Sequence, residues 1–377
     1  MSNKPTLLFV STRFLFPVDS GGKIRTTQVL RGLTGGRFNV VLVSPATSQL
    51  VEQYEAELAS VCDRFEWWPE PARSPLFALT RLRYLPGPLP VPVRTDRHPS
   101  AIRRIGALLE ERPAVAVYDF AHAAVLAEFP LRVPSVMFTH NVEAEIFKRH
   151  RDVATNPIKK MIWSGQYDKM RRFENATFGE FDVVVAVAER DRQQFIDDYG
   201  VSNPHVIPTG VDLDFFAFNP PTKDREIVFC GSMDWMANQT GIDYYMDEIW
   251  PKIAAAVPDA SMTVVGRSPP ERMVNAARQR NHRFKFTGFV DDVRDYMRGA
   301  SVSVIPLTVG GGTRLKAYEA MAAGNPIVST SIGMEGLPVE PGKHFLLADT
   351  PEDFANEVVR LLQSRELRER IAVDARA

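Results

Sequence analysis

The chain has only two cysteines, Cys62 and Cys230, far apart in sequence, and no C-x-x-C or His/Cys cluster. A disulfide framework and a structural zinc site are therefore excluded, and a reducing cytoplasm is the expected compartment. No apolar run approaches the ~18 residues of a membrane span. Leu7–Val10 is apolar, but Arg13 follows too soon for a signal-peptide core. Net charge is −1, so no overall field points to nucleic acid. Tandem repeats and low-complexity tracts are missing as well.

What remains is 377 residues, 45% hydrophobic and 24% charged, the profile of a globular protein too long for one ordinary core. Short Val/Ile/Phe-rich runs alternate with helical segments. The first half has 6–11, 38–44, 114–119, 135–141, 182–188 and 205–209. The second half has 226–232, 261–267, 284–290, 302–307, 326–331 and 344–349. Continuous apolar runs of this length suit strands buried on both faces of a parallel sheet, and the alternation predicts two doubly wound α/β domains. Pro220-Pro221 marks the seam, giving expected domains 1–217 and 218–377.

Ligands of open α/β sheets bind beyond the carboxyl ends of the strands. That rule selects 13–25, His140-Asn141 and Ala188-Glu189 in the first half. In the second half it selects Gly231-Ser232, Gly266-Arg267, 306–319 and 329–333. The richest of these runs from Val309 to Pro326. Gly310, Gly311 and Gly312 follow a strand, Thr313 suits an N-cap, and 314–323 reads as one helix, with Leu315, Tyr318 and Ala322 toward the core. Gly324 and Pro326 end it. A glycine-rich entry to a helix N-terminus offers free N–H groups to phosphate. Arg314 and Lys316 lie in the first turn, where the helix dipole disfavours cations and a bound anion would remove the conflict. Glu319 has two readings: an i,i+3 ion pair with Lys316, or a carboxylate for two ribose hydroxyls.

The string Lys316–Pro326, with its Y-E-A-M-A-A-G-N-P core, resembles the E-x7-E region of retaining family 4 glycosyltransferases of the GT-B fold. Gly21-Gly22-Lys23-Ile24-Arg25 resembles their N-terminal glycine loop, and Thr139–Glu143 their N-domain histidine segment. Ile207–Asp212 is similar to their N-G-V-D hinge string, and Gly288–Asp292 to the stretch that contacts the base. Two features depart from the family pattern. Gly311 stands where the first glutamate belongs, and the R-x4-K-G diphosphate clamp is replaced by Gly231–Asn238. The G-G-G-T-R-L-K variety is similar to a subgroup associated with bacterial exopolysaccharide loci.

The resemblance implies two Rossmann-like domains facing across a cleft, and transfer of a sugar from a UDP- or GDP-type donor to a glycan or polyprenyl-linked acceptor. It implies retention of configuration, no cofactor, and a tail beyond Ala377. No Asp-x-Asp sits at a strand end, so cations and a helix dipole are expected in place of a metal. His140, Arg314 and Lys316 are the expected catalytic groups. Ser232, Gly266, Arg267, Phe289, 310–313, Leu315 and Glu319 are expected around the donor. Gly21, Gly22, Arg25, Asn141, Glu143 and Glu189 are expected on the acceptor side. A non-catalytic binding subunit and a nucleotide-sugar epimerase share this architecture and stand as alternatives.

Charge distribution adds one expectation. Residues 73–104 hold seven arginines (Arg73, Arg81, Arg83, Arg94, Arg97, Arg103, Arg104) against Asp96, a net of +6. Residues 148–172 hold eight Lys and Arg against Asp152 and Asp168, again +6. Basic stretches with interleaved apolar residues suit an anionic membrane surface or a lipid-pyrophosphate acceptor.

Overall fold

The computed structural model describes residues 4–70, 77–280, 283–309 and 314–377. The chain divides into two compact units, the first ending at Thr209 and the second beginning at Gly210. The division falls earlier than the seam expected at 217/218, and the contacts explain why. Phe216 is buried among Met297, Ala320 and Ile327 of the second unit, and Asn219 N–H donates to Ala323 O at 3.0 Å. Arg376 donates to Phe216 O and Ala322 O at 2.9 and 2.6 Å. The segment before the prolines is thus already docked on the second unit.

The first unit contains β1 (Thr6–Ser11), β2 (Asn39–Ala46), β3 (Arg64–Pro69), β4 (Val115–Asp119), β5 (Ser135–Phe138), β6 (Val183–Ala186) and β7 (His205–Val206). They form one parallel sheet in the order β3-β2-β1-β4-β5-β6-β7. Successive residues go to opposite faces, as strand geometry requires. Leu8 and Val10 enter one core with Ala116 and Tyr118, while Leu7 and Phe9 enter another with Val40 and Leu42. Six strands were expected here. The additional one, β3, is an edge strand on which only Trp68 is buried; its Arg64-Phe65-Glu66 start hides it from a search for continuous apolar runs.

The second unit contains β8 (Glu226–Cys230), β9 (Ser261–Val265), β10 (Phe284–Phe286), β11 (Val302–Ile305), β12 (Ile327–Ser329) and β13 (Leu346–Leu347). Their order is β10-β9-β8-β11-β12-β13, all parallel. Relabelled from the first strand, this is the Rossmann order 3-2-1-4-5-6. The strand order reverses between β8 and β11 here and between β1 and β4 in the first unit, and those are the crevices where ligands are expected.

Candidate functional site

In the second unit, the carboxyl end of β8 meets the helix Leu315–Ala323, which follows β11. That helix is buried more widely than the single face read from sequence: Ala317, Ala320, Met321 and Ala323 join Leu315 and Ala322 in the interior, and Tyr318 is half-buried. Gly324, at φ +84°, ends it in the left-handed conformation. Arg314 occupies the N-cap position with φ +27°. Gly310, Gly311, Gly312 and Thr313 lie outside the described residues.

The two cations of the first turn are held apart from Glu319. Arg314 is buried, and its guanidinium lies 3.3 Å from Glu335. The Lys316 ammonium donates to Asn238 Oδ1 and sits 4.6 Å above the Phe229 ring. No ion pair or hydrogen bond joins Lys316 to Glu319 among the described residues, so the ordinary i,i+3 pair is not formed. Burial, then the Arg314 charge, pulls the Lys316 pKa down to about 7. Burial likewise pushes Glu319 up to about 7, against the pull of Lys316. The neighbouring Cys230, at the end of β8, has its thiol pushed up to about 12, chiefly by burial and next by Glu319. Two groups that titrate near neutrality at a strand-order reversal are a candidate binding centre.

Two glycines make room beside them. A Cβ on Gly231 would lie 3.1 Å from Lys316 Nζ and 2.9 Å from Asn238 Nδ2. A Cβ on Gly266 would lie 2.0 Å from Gly231 O, so the ends of β8 and β9 approach closely only because Gly266 has no side chain. Arg267 Nε donates to Ser232 Oγ at 3.0 Å, and its guanidinium lies 2.9 Å from Asp234. Phe289 follows Gly288 (φ +76°) and is 66% exposed. Among the described residues no group of three or more His, Cys, Asp or Glu could hold a metal ion.

In the first unit, His140 and Asn141 follow β5 and Asp119 ends β4. His140 Nε2 is 2.7 Å from Asp119 Oδ1, and both residues are buried. The imidazole lies flat against Phe120, with centroids 3.8 Å apart and planes within 7°. Burial holds the His140 pKa below the usual range, although Asp119 opposes the shift.

Several expected acceptor-side residues have other engagements. Gly21 and Gly22 open the helix Gly21–Leu33 rather than a loop. A Cβ on Gly22 would come 2.5 Å from Phe120 Cζ, so the absent side chain admits a protein ring. Arg25 is buried, donates to Thr139 O and Ile207 O at 2.8 and 2.7 Å, and lies 4.2 Å above the Phe138 ring. It ties together the chain leaving β5 and β7. Glu143 accepts from Asn141 Nδ2 at 2.9 Å. Its own N–H donates to the buried Glu174, which also accepts from Ala144 N–H and Tyr199 O–H. Glu189 is 68% exposed and bonds Arg192 at 2.7 Å on its own helix, an ordinary first-turn acid.

The pattern described as Glycosyltransferase Family 4 matches residues 20–215, and that described as Glycosyl transferases group 1 matches 224–364. The chain belongs to glycosyltransferase family 4. A phosphatidyl-myo-inositol mannosyltransferase of Mycobacterium tuberculosis is 28% identical over 199 residues, 49% of this chain and 52% of that protein. The chain thus spans about half the length of the curated relatives it matches first. An uncharacterized 44.6 kDa protein in the cps region of Klebsiella pneumoniae is 20% identical over 98% of this chain and 94% of its own. The structure of Anabaena HepE in complex with UDP and glucose matches with a TM-score of 0.66 at 16% identity, covering 99% of this chain and 94% of that one. Two Rossmann-like parallel units with this likeness make the fold GT-B.

Within this family framework, the residues that sequence reasoning missed are partners of those it found. Asp119 was within reach, since it ends a buried strand as His140 follows one. Asn238 and Glu335, which hold Lys316 and Arg314, carry no local signal; only the fold brings them there.

Proposed function

We propose that this family 4 chain transfers a sugar from a nucleotide-sugar donor to a glycan or lipid-linked acceptor, with retention at the anomeric carbon and without a metal ion. The observation that carries this reading is the Glu319 carboxylate. It is half-buried beside a strand-order reversal, and Lys316 is drawn away from it toward Asn238 and Phe229. A carboxylate in that position is available to two ribose hydroxyls. In this reading Lys316 and Arg314 stabilise the charge that develops on the leaving diphosphate as the glycosidic bond breaks. The exposed Phe289 suits stacking on a base. The full-length likeness to a protein from a cps region supports a role in cell-surface polysaccharide synthesis.

On the acceptor side, Val153 at the end of the helix Glu143–Val153, and Ile158 (64%) and Met161 (69%) near the start of the helix Pro157–Phe178, are exposed next to Lys159 and Lys160. Apolar groups flanked by lysines favour an anionic lipid surface. No helix of the described residues is long and apolar enough to cross a membrane.

The test is a thermal-shift screen against UDP, GDP and ADP sugars, followed by assay of the stabilising donor for turnover. A donor at ~100 times its Kd adds roughly 2.7 kcal/mol of stability. Binding without release of nucleoside diphosphate would favour the non-catalytic subunit, and interconversion of the sugar without an acceptor would favour the epimerase. Replacing Arg314 and Lys316 by Met should weaken nucleoside diphosphate binding far more than nucleoside binding; equal losses would remove the cations from the diphosphate site.

A further inference from the structure

Asp119 is engaged on both carboxylate oxygens. Oδ2 accepts from Thr26 Oγ1 at 2.9 Å and lies 3.4 Å from Ser11 Oγ, while Oδ1 faces His140 Nε2 at 2.7 Å. A carboxylate so surrounded by donors can only accept, which places the proton of the His140 contact on Nε2. The other ring nitrogen, Nδ1, is shielded from solvent and has no hydrogen-bond partner among the described residues. An N–H there would be a buried donor without an acceptor. The charged groups acting on the ring are Asp119 and Glu143, which favour its protonation, and Arg25, which opposes it. Phe120 covers one face and Phe138 meets it edge-on at 5.5 Å. The ring is therefore neutral, and a lone pair is left on a buried nitrogen at the carboxyl edge of the sheet.

We propose that Asp119 is a positioning residue that fixes His140 as the Nε2–H tautomer, so that Nδ1 accepts a hydrogen bond from a hydroxyl of the bound sugar. Part of this rests on the transferase reading: the tautomer belongs to the free protein, whereas the sugar hydroxyl belongs to the reaction. An aspartate that orients a histidine by accepting from one ring nitrogen frees the other for chemistry. Phe120, stacked parallel on the ring, fixes the imidazole plane in which the Nδ1 lone pair lies.

Nitrogen NMR of the histidine-labelled protein tests the tautomer without any ligand. The His140 signal is assigned by its loss in His140→Gln. A pyridine-type shift at Nδ1 and a pyrrole-type shift at Nε2, both unchanged from pH 8 to pH 6, are expected. In Asp119→Asn, the amide N–H can donate to Nε2 and the two nitrogen types should exchange. The reverse pattern in wild type, or an unchanged pattern in a folded Asp119→Asn protein, overturns the proposal. Release of nucleoside diphosphate from UDP-glucose or GDP-mannose, whichever the wild type turns over, tests the second half. Asp119→Asn should lower kcat/KM for the donor about tenfold, the worth of one hydrogen bond to the sugar. Unchanged kcat/KM alongside an altered tautomer also overturns the role in reaction. A wild type that turns over neither donor nor any other nucleotide-sugar would count against the transferase reading, while the spectral result would stand on its own.

Discussion

At the scale of single residues, Glu319 and Lys316 make opposite demands on the proton. If the Glu319 carboxylate accepts two ribose hydroxyls, Glu319→Ala removes two charge-assisted hydrogen bonds of about 1.5–3 kcal/mol each, not fully additive because they share one group. A combined loss of roughly 3 kcal/mol is on the order of a hundredfold in nucleotide affinity. Calorimetric titration of a well-folded mutant checks it, and unchanged affinity would take Glu319 out of the site. The pH dependence follows from the same pair. Lys316 titrates near 7 in the free protein, and a diphosphate raises its pKa, so binding takes up a proton and affinity falls as pH rises above 7. Glu319 also titrates near 7 and must be ionised to accept, so affinity falls as pH drops below 7. UDP or GDP should therefore bind best near neutrality. The parent nucleoside, lacking phosphates, should keep the acid limb and lose the alkaline one. A flat profile for the diphosphate from pH 6 to 8.5 would contradict both assignments.

At the scale of elements, the site depends on how closely β8 and β9 converge. Gly266→Ala would drive a Cβ to 2.0 Å from Gly231 O, a backbone atom that cannot rotate away. Overpacking of this kind costs about 1–3 kcal/mol, and the strand ends must part to relieve it. Chemical denaturation should show that loss, together with weakened nucleotide binding, because Gly231 lies against Lys316. A Gly266→Ala protein with wild-type stability and binding would mean that the strand ends yield freely. Most strands were legible in the sequence because both faces are buried: Leu7–Val10 and Ile227–Phe229 are continuous apolar runs. β3 was not, because an edge strand buries little and its charges interrupt the run. The helix Leu315–Ala323 was legible by its terminating Gly324, whereas Asn238 and Glu335 were not. Their roles come from tertiary contacts 78 and 21 residues away in sequence.

At the scale of the whole molecule, a net charge of −1 conceals local positive surface. Part of the expected basic character is neutralised: Arg104 pairs with Glu66, Arg149 with Glu145 and Arg151 with Asp152. Arg73 lies outside the described residues. Lys159 and Lys160 stay exposed beside Ile158 and Met161. Flotation with liposomes containing anionic lipid should recover the protein at low salt and release it at high salt, since such attraction is screened within about 10 Å at 0.1 M. Ile158→Ser/Met161→Ser should weaken recovery without affecting nucleotide binding. Recovery on neutral liposomes equal to that on anionic ones would refute the electrostatic part. The two cysteines carry a different consequence. Cys62 is buried with its thiol raised to about 12, and Cys230 is raised equally. A thiolate is the reactive species, so both are expected to react slowly with alkylating reagents at neutral pH, which a thiol titration of the native protein checks. With both thiols slow, the chain needs no cysteine replacement before site-specific labelling. A cysteine placed at the exposed Trp235 or Met161 would take a fluorophore ahead of them, and could report on the nucleotide site or on lipid contact without first stripping the protein of its own thiols.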